Sequence, residues 1–196
     1  MRKMIGMACS LLAMLFPLVA LAEAWDEAIG QPAPDISLIC ADGTSFSLSA
    51  ALEEKELAVV CLFGSGCGAC QKELRALNIA YQLYQDRVAV IALSLDRTRD
   101  TEEVLNAFQQ AEGLLFPLGR DPARTARFLK INMYPAFMLV NQEGVVVYVE
   151  VNGPASIDHF VELFDAYLDN SNAQTRTGGE TVLDVCTENS CPIPES

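Results

Sequence analysis

One histidine and one tryptophan occur in 196 residues, and only 13 lysines and arginines stand against 26 aspartates and glutamates. Scarce basic residues exclude nucleic acid as a partner and disfavour anionic membrane surfaces, because affinity for phosphates is built from lysine and arginine contacts. The single histidine, His159, gives no cluster of imidazoles for a metal, and at a helix-start position it reads as a surface residue. Long hydrophobic runs are missing as well. The stretch from Leu11 to Leu21 contains Pro17 and falls short of the roughly 20 apolar residues that a spanning helix needs. No segment repeats along the chain, so a solenoid or array is not indicated.

What is present begins with Arg2 and Lys3, the apolar run, and Ala20-Leu21-Ala22, the three parts of a secretory signal. Residues 1–22 are therefore expected to be a cleaved signal peptide, with export to the periplasm preferred over membrane anchoring. Without Arg2 and Lys3, 11 basic residues face 26 acidic ones, a net charge of about −15. Cys9 leaves with the signal, and Cys40, Cys61, Cys67, Cys70, Cys186 and Cys191 remain. In an oxidising compartment an even count reads first as disulfides and second as metal ligands.

The periodicity predicts one α/β domain over residues 23–169. Asp35 to Cys40 and Thr44 to Leu48 flank Ala41-Asp42-Gly43 as a hairpin. Leu57 to Phe63 and Val88 to Leu95 are continuous apolar runs, the pattern of strands buried on both faces. Helical spacing follows each of them, over Cys67 to Tyr84 and over Thr101 to Gln110, the latter closed by Gly113. A short extended piece is expected over Leu114 to Leu118, then a helix from Asp121-Pro122 to about Lys130. Ala136 to Val140 and Val145 to Val151 should pair antiparallel across Asn141-Gln142-Glu143-Gly144. Ser156 caps a final helix ending near Asp169. Residues 170–196 form a polar tail with two late cysteines.

Cys67-Gly68-Ala69-Cys70 lies between a buried strand with a glycine-rich turn and an amphipathic helix. That placement puts the first thiol at the unpaired N–H groups of a helix start, where the thiolate, the form that attacks disulfides, is favoured. Cys70 is then close enough to resolve a mixed disulfide. The alternatives are half of a zinc site or an inert structural disulfide.

Leu62-Phe63-Gly64-Ser65-Gly66-Cys67-Gly68-Ala69-Cys70-Gln71-Lys72-Glu73-Leu74 resembles the thioredoxin superfamily, and most of all its exported TlpA-like branch. The segments Ile36 to Leu48, Phe116-Pro117-Leu118 with Asp121, and Met133-Tyr134-Pro135-Ala136-Phe137 through Gly144 resemble that branch's hairpin, insert and proline loop. The resemblance spans about residues 29 to 169. It implies a thioredoxin-like fold, a central mixed sheet flanked by helices, with an N-terminal hairpin and a central insert. It implies Cys67 and Cys70 as the catalytic redox disulfide, with Glu73 beside them as proton partner. It places Pro135 as a cis-proline whose loop, with Tyr134, binds an extended substrate. It also implies disulfide-containing protein substrates, a membrane electron donor and a place in cytochrome c maturation, and calls for no cofactor and no metal.

Two departures from the family pattern bear on the site. Gly66 stands where the superfamily usually has tryptophan, which predicts a more open groove, and Ala69 stands where proline is common. Cys61 replaces a buried acidic residue, leaving Glu73 as the substitute or Cys61 as a plain small hydrophobe. Cys186 and Cys191 read either as a local disulfide or as a mobile second dithiol that exchanges with the first. A peroxidase on the same fold would want a proline and a hydroxyl residue at positions held by Val60 and Gly64. A copper carrier would want three residues between its cysteines and a later histidine.

Overall fold

Leu57–Phe63 (β3) is buried at every position, and the register of its neighbours follows from that burial. A computed structural model describes residues 24–176 of the chain. β3 pairs in parallel with Val88–Ser94 (β4) and antiparallel with Ala136–Asn141 (β6). Val146–Val151 (β7) adds antiparallel to β6, and Leu118–Arg120 (β5) adds parallel to β4. The sheet order is β5-β4-β3-β6-β7. Parallel neighbours need crossovers, and the helices Gly68–Tyr84 (α2) and Glu102–Glu112 (α3) supply them.

Side chains along β3 alternate between two apolar layers, as the two-residue strand period requires. Leu57, Val59, Cys61 and Phe63 face Leu74, Leu77 and Ala80 of α2 and Phe160, Phe164 and Leu168 of Ile157–Arg176 (α5). Ala58, Val60 and Leu62 face Leu48 and Leu52 of Leu48–Glu54 (α1), together with Ile36 and Leu129. The hairpin Ser37–Ile39 (β1) and Ser45–Ser47 (β2) docks on the edge strand β5, where Ala41 N–H donates to the Leu118 carbonyl at 2.8 Å.

Four segments differ from the sequence reading. The extended piece expected over Leu114 to Leu118 is displaced, because Leu114 and Phe116 turn into the core and the strand begins only at Leu118. The expected helix from Asp121 to Lys130 shrinks to Thr125–Phe128 (α4). Arg124 and Lys130, both at positive φ, bracket it, and Asp121 is buried, accepting from the Thr125 hydroxyl at 2.8 Å. α5 does not stop near Asp169 but runs to Arg176, since no glycine or proline interrupts the chain before Gly178. The helix α1 was missed by periodicity; its signal was Ser47, whose hydroxyl accepts from Ala50 N–H.

Candidate active site

Cys67 is the N-cap of α2, and Cys67 and Cys70 are joined as a disulfide with their Cα atoms 5.2 Å apart. Cys67 Sγ accepts from the Cys70 backbone N–H at 3.1 Å. The sulfur thus sits on the donors that a helix start leaves unpaired, at the positive end of the helix dipole. Cys67 is half-buried, whereas Cys70 is 0% exposed. An incoming disulfide can therefore reach only the first sulfur.

The loop before Cys67 is held from below. Asp100, with no exposed surface, accepts from Ser65 N–H at 3.0 Å and also from the Ser65 and Ser94 hydroxyls. Gln71 closes the loop from the helix side, donating to the Ser65 carbonyl at 3.0 Å. This clamp brings the neighbour of Asp100 over the loop. A Cβ on Gly66 would run into Arg99 Nη1, so the space left by the missing tryptophan is filled by a guanidinium instead of standing open. Gly64 admits a second side chain: a Cβ there would lie 3.0 Å from Tyr134 Cζ.

The Tyr134–Pro135 peptide bond is cis, and Pro135 is buried. Asn152 N–H donates to the Pro135 carbonyl at 2.9 Å, tying the proline loop to the end of β7. Pro135, Ala69, Lys72, Asn152, Gly153 and Ala155 line a groove of about 260 Å³ beside the start of α2.

Glu73 is 2% exposed, one turn beyond Cys70 on the buried side of α2. Among the described residues its carboxyl has no hydrogen-bond partner. Burial first, and the nearby Glu150 second, push it up to about 7 from the ordinary 4.5. The Cys61 thiol is raised well above its ordinary value by its complete burial, with Glu73 adding to the shift.

The elements therefore bring Cys67, Cys70, Glu73, Tyr134 and Pro135 to one end of α2. Cys186 and Cys191 lie outside the described residues. His159 is not the surface residue expected from its position: its ring is only 20% exposed, and Nε2 bonds Glu150 Oε2 at 2.7 Å. Sequence reasoning also missed Arg99, Asp100 and Glu150. For Glu150 a signal existed, since it is the one charged residue in the run Val145 to Val151. Among the described residues, no three histidine, cysteine, aspartate or glutamate side chains are grouped to hold a metal.

A protein-family model described as the AhpC/TSA family matches residues 29–149. The thioredoxin-like protein YneN of Bacillus subtilis (strain 168) is 28% identical over 122 residues, 62% of this chain and 71% of that one. The thioredoxin domain of a thiol-disulfide oxidoreductase from Bacteroides vulgatus superposes with a TM-score of 0.58 at 26% identity, over 70% of this chain and 97% of that one. A putative protein disulfide isomerase from Bacteroides thetaiotaomicron gives a TM-score of 0.63 at 24% identity, over 75% and 94%, a likeness of fold.

Proposed function

Since this chain belongs to the AhpC/TSA family and is a thiol-disulfide oxidoreductase of thioredoxin-like fold, we propose that it reduces or exchanges disulfides of extracytoplasmic proteins through Cys67 and Cys70. The carrying observation is the asymmetry of the pair: one sulfur half-buried on a helix start, the other fully buried beneath it. In the reduced enzyme the Cys67 thiolate attacks a substrate disulfide, forms a mixed disulfide and expels one substrate thiolate. Glu73 takes the proton of Cys70. The Cys70 sulfur then bonds Cys67, the bond to substrate breaks, and an electron pair leaves on the second substrate thiolate. Two electrons have passed from the dithiol to the substrate, and a dithiol donor must restore them.

Tyr134 and Pro135 frame the extended substrate along the groove. Residues 1–22 direct export to the periplasm and are removed, and residues 23–169 form the working domain. The TlpA-like resemblance favours the reducing direction, with a membrane electron donor and cytochrome c maturation as the setting. Among the described residues no helix is long and apolar enough to cross a membrane.

The peroxidase alternative has less support. Val60 is fully buried within β3, and Gly64 has no hydroxyl to orient a peroxide.

The test is thiol trapping with a disulfide-containing peptide. Cys70→Ser is expected to accumulate a mixed disulfide on Cys67, and Cys67→Ala to accumulate none. A parent protein that exchanges nothing would sink the reading. Oxidation by hydrogen peroxide no faster than a simple thiol would dispose of the peroxidase, and the potential of the Cys67–Cys70 couple would settle direction.

A further inference from the structure

Cys61, Phe137 and Glu150 lie in one register row across β3, β6 and β7. Side chains in one row share a face of the sheet, here the face on which α2 and α5 pack. Glu73, buried on α2, lies near enough to Cys61 and Glu150 for its charge to act on both. The Glu150 side chain, 12% exposed, is gripped on one oxygen: Tyr148 Oη donates to Oε2 at 2.7 Å, and His159 Nε2 bonds the same atom at 2.7 Å. The other oxygen, Oε1, lies against Gly153, where a Cβ would collide with it. Gly153 in turn lines the groove beside Pro135. A carboxyl from α2 and one from β7 thus lie in the same layer between the sheet and its helices, both little exposed, and only one of them is hydrogen-bonded.

We propose that Glu150 is a positioning residue: held by Tyr148 and His159, it sets the pH at which Glu73 takes or gives up the proton exchanged with Cys70. The proposal rests on Glu73 being the proton partner of Cys70. Two carboxyls in a poorly solvated site resist being charged together. Glu150 is held by two hydrogen bonds and Glu73 by none, so burial and the neighbouring carboxyl together raise Glu73. The other titratable groups around the pair are Cys61 from β3, Cys70 on the same helix as Glu73, Lys72 at the groove, and Tyr167 of α5, which packs on Tyr148. In the resolving step the Cys70 proton passes to Glu73 as the Cys70 sulfur bonds Cys67. The substrate thiolate that leaves takes up a proton afterwards.

The experiment is a carboxyl-carbon NMR titration of the reduced full-length protein, with the pH profile of mixed-disulfide resolution in single turnover as second readout. Glu150→Gln is expected to move the Glu73 midpoint down from about 7 by about one pH unit. His159→Leu, which removes one of the two bonds that hold Glu150 in place, is expected to move it down by a smaller amount, about half a unit. Glu150→Asp, which keeps the charge, should restore most of the parent value. That restoration separates a charge effect from a structural one, which would displace both Glu150 variants alike. Should Glu150→Gln fail to fold, the smaller fall in His159→Leu decides alone, and its absence overturns the proposal. Unmoved midpoints in a protein that still exchanges disulfides overturn this inference and spare the proposed function. A parent protein that exchanges nothing sinks both.

Discussion

Glu73 occupies a position where an apolar side chain would pack without penalty, and its burial has a pH signature. Below about 4.5 the carboxyl is protonated in both the folded and the unfolded chain, so ionisation does not affect stability. Between 4.5 and about 7 only the unfolded chain loses the proton, and the folded state becomes less stable as pH rises. Above about 7 the full penalty, roughly 3 kcal/mol, is present. Glu73→Gln is therefore expected to exceed the parent in stability at pH 8 by up to roughly 3 kcal/mol and to match it at pH 4 within about 1 kcal/mol, as read by urea unfolding. Equal gains at both pH values would assign the effect to packing. The same variant should slow resolution of the mixed disulfide about a hundredfold. Cys67, Cys70 and Glu73 were legible in the sequence because they are neighbours on one helix. Arg99, Asp100 and Glu150 were not, because each reaches the site from another element and only the folded register shows where it arrives.

At the scale of elements, the nucleophile's position depends on a loop pinned from the neighbouring loop that follows β4. Asp100 precedes α3 and Ser65 precedes α2, so the two crossovers are tied together by one buried side chain. The hairpin is docked differently, by close approach: a Cβ on Gly119 of β5 would run into Leu38 of β1. Gly119→Val is expected to lift the hairpin and to destabilise by about 1 to 3 kcal/mol, seen as a lowered thermal midpoint, with the Cys67–Cys70 couple still active. An unchanged midpoint would mean that Leu38 simply swings aside. Strands β3 and β4 were read to within a residue because burial on both faces leaves an uninterrupted apolar run. β5 and α4 were misplaced because both are short, and tertiary contacts at Phe116, Asp121 and Thr125 outweigh local propensity there.

Over the whole molecule, the formal net charge of −13 makes encounter depend on the sign of the partner. A basic disulfide peptide should react faster at low ionic strength and slow as salt is added, and an acidic one should show the reverse. Second-order exchange rates at two salt concentrations check this; the same slope for both peptides would mean that the local cations Arg99 and Lys72 outweigh the global field. Among the described residues two thiols are unpaired, Cys40 and Cys61, both buried but in different places, one beside the hairpin turn and the other in the central strand between two partners. A thiol reagent can reach Cys40 when the hairpin lifts, yet reaches Cys61 only when the sheet itself comes apart. The chain thereby carries two clocks of its own, and the ratio of their labelling rates measures how far a local opening runs ahead of the collapse of the whole.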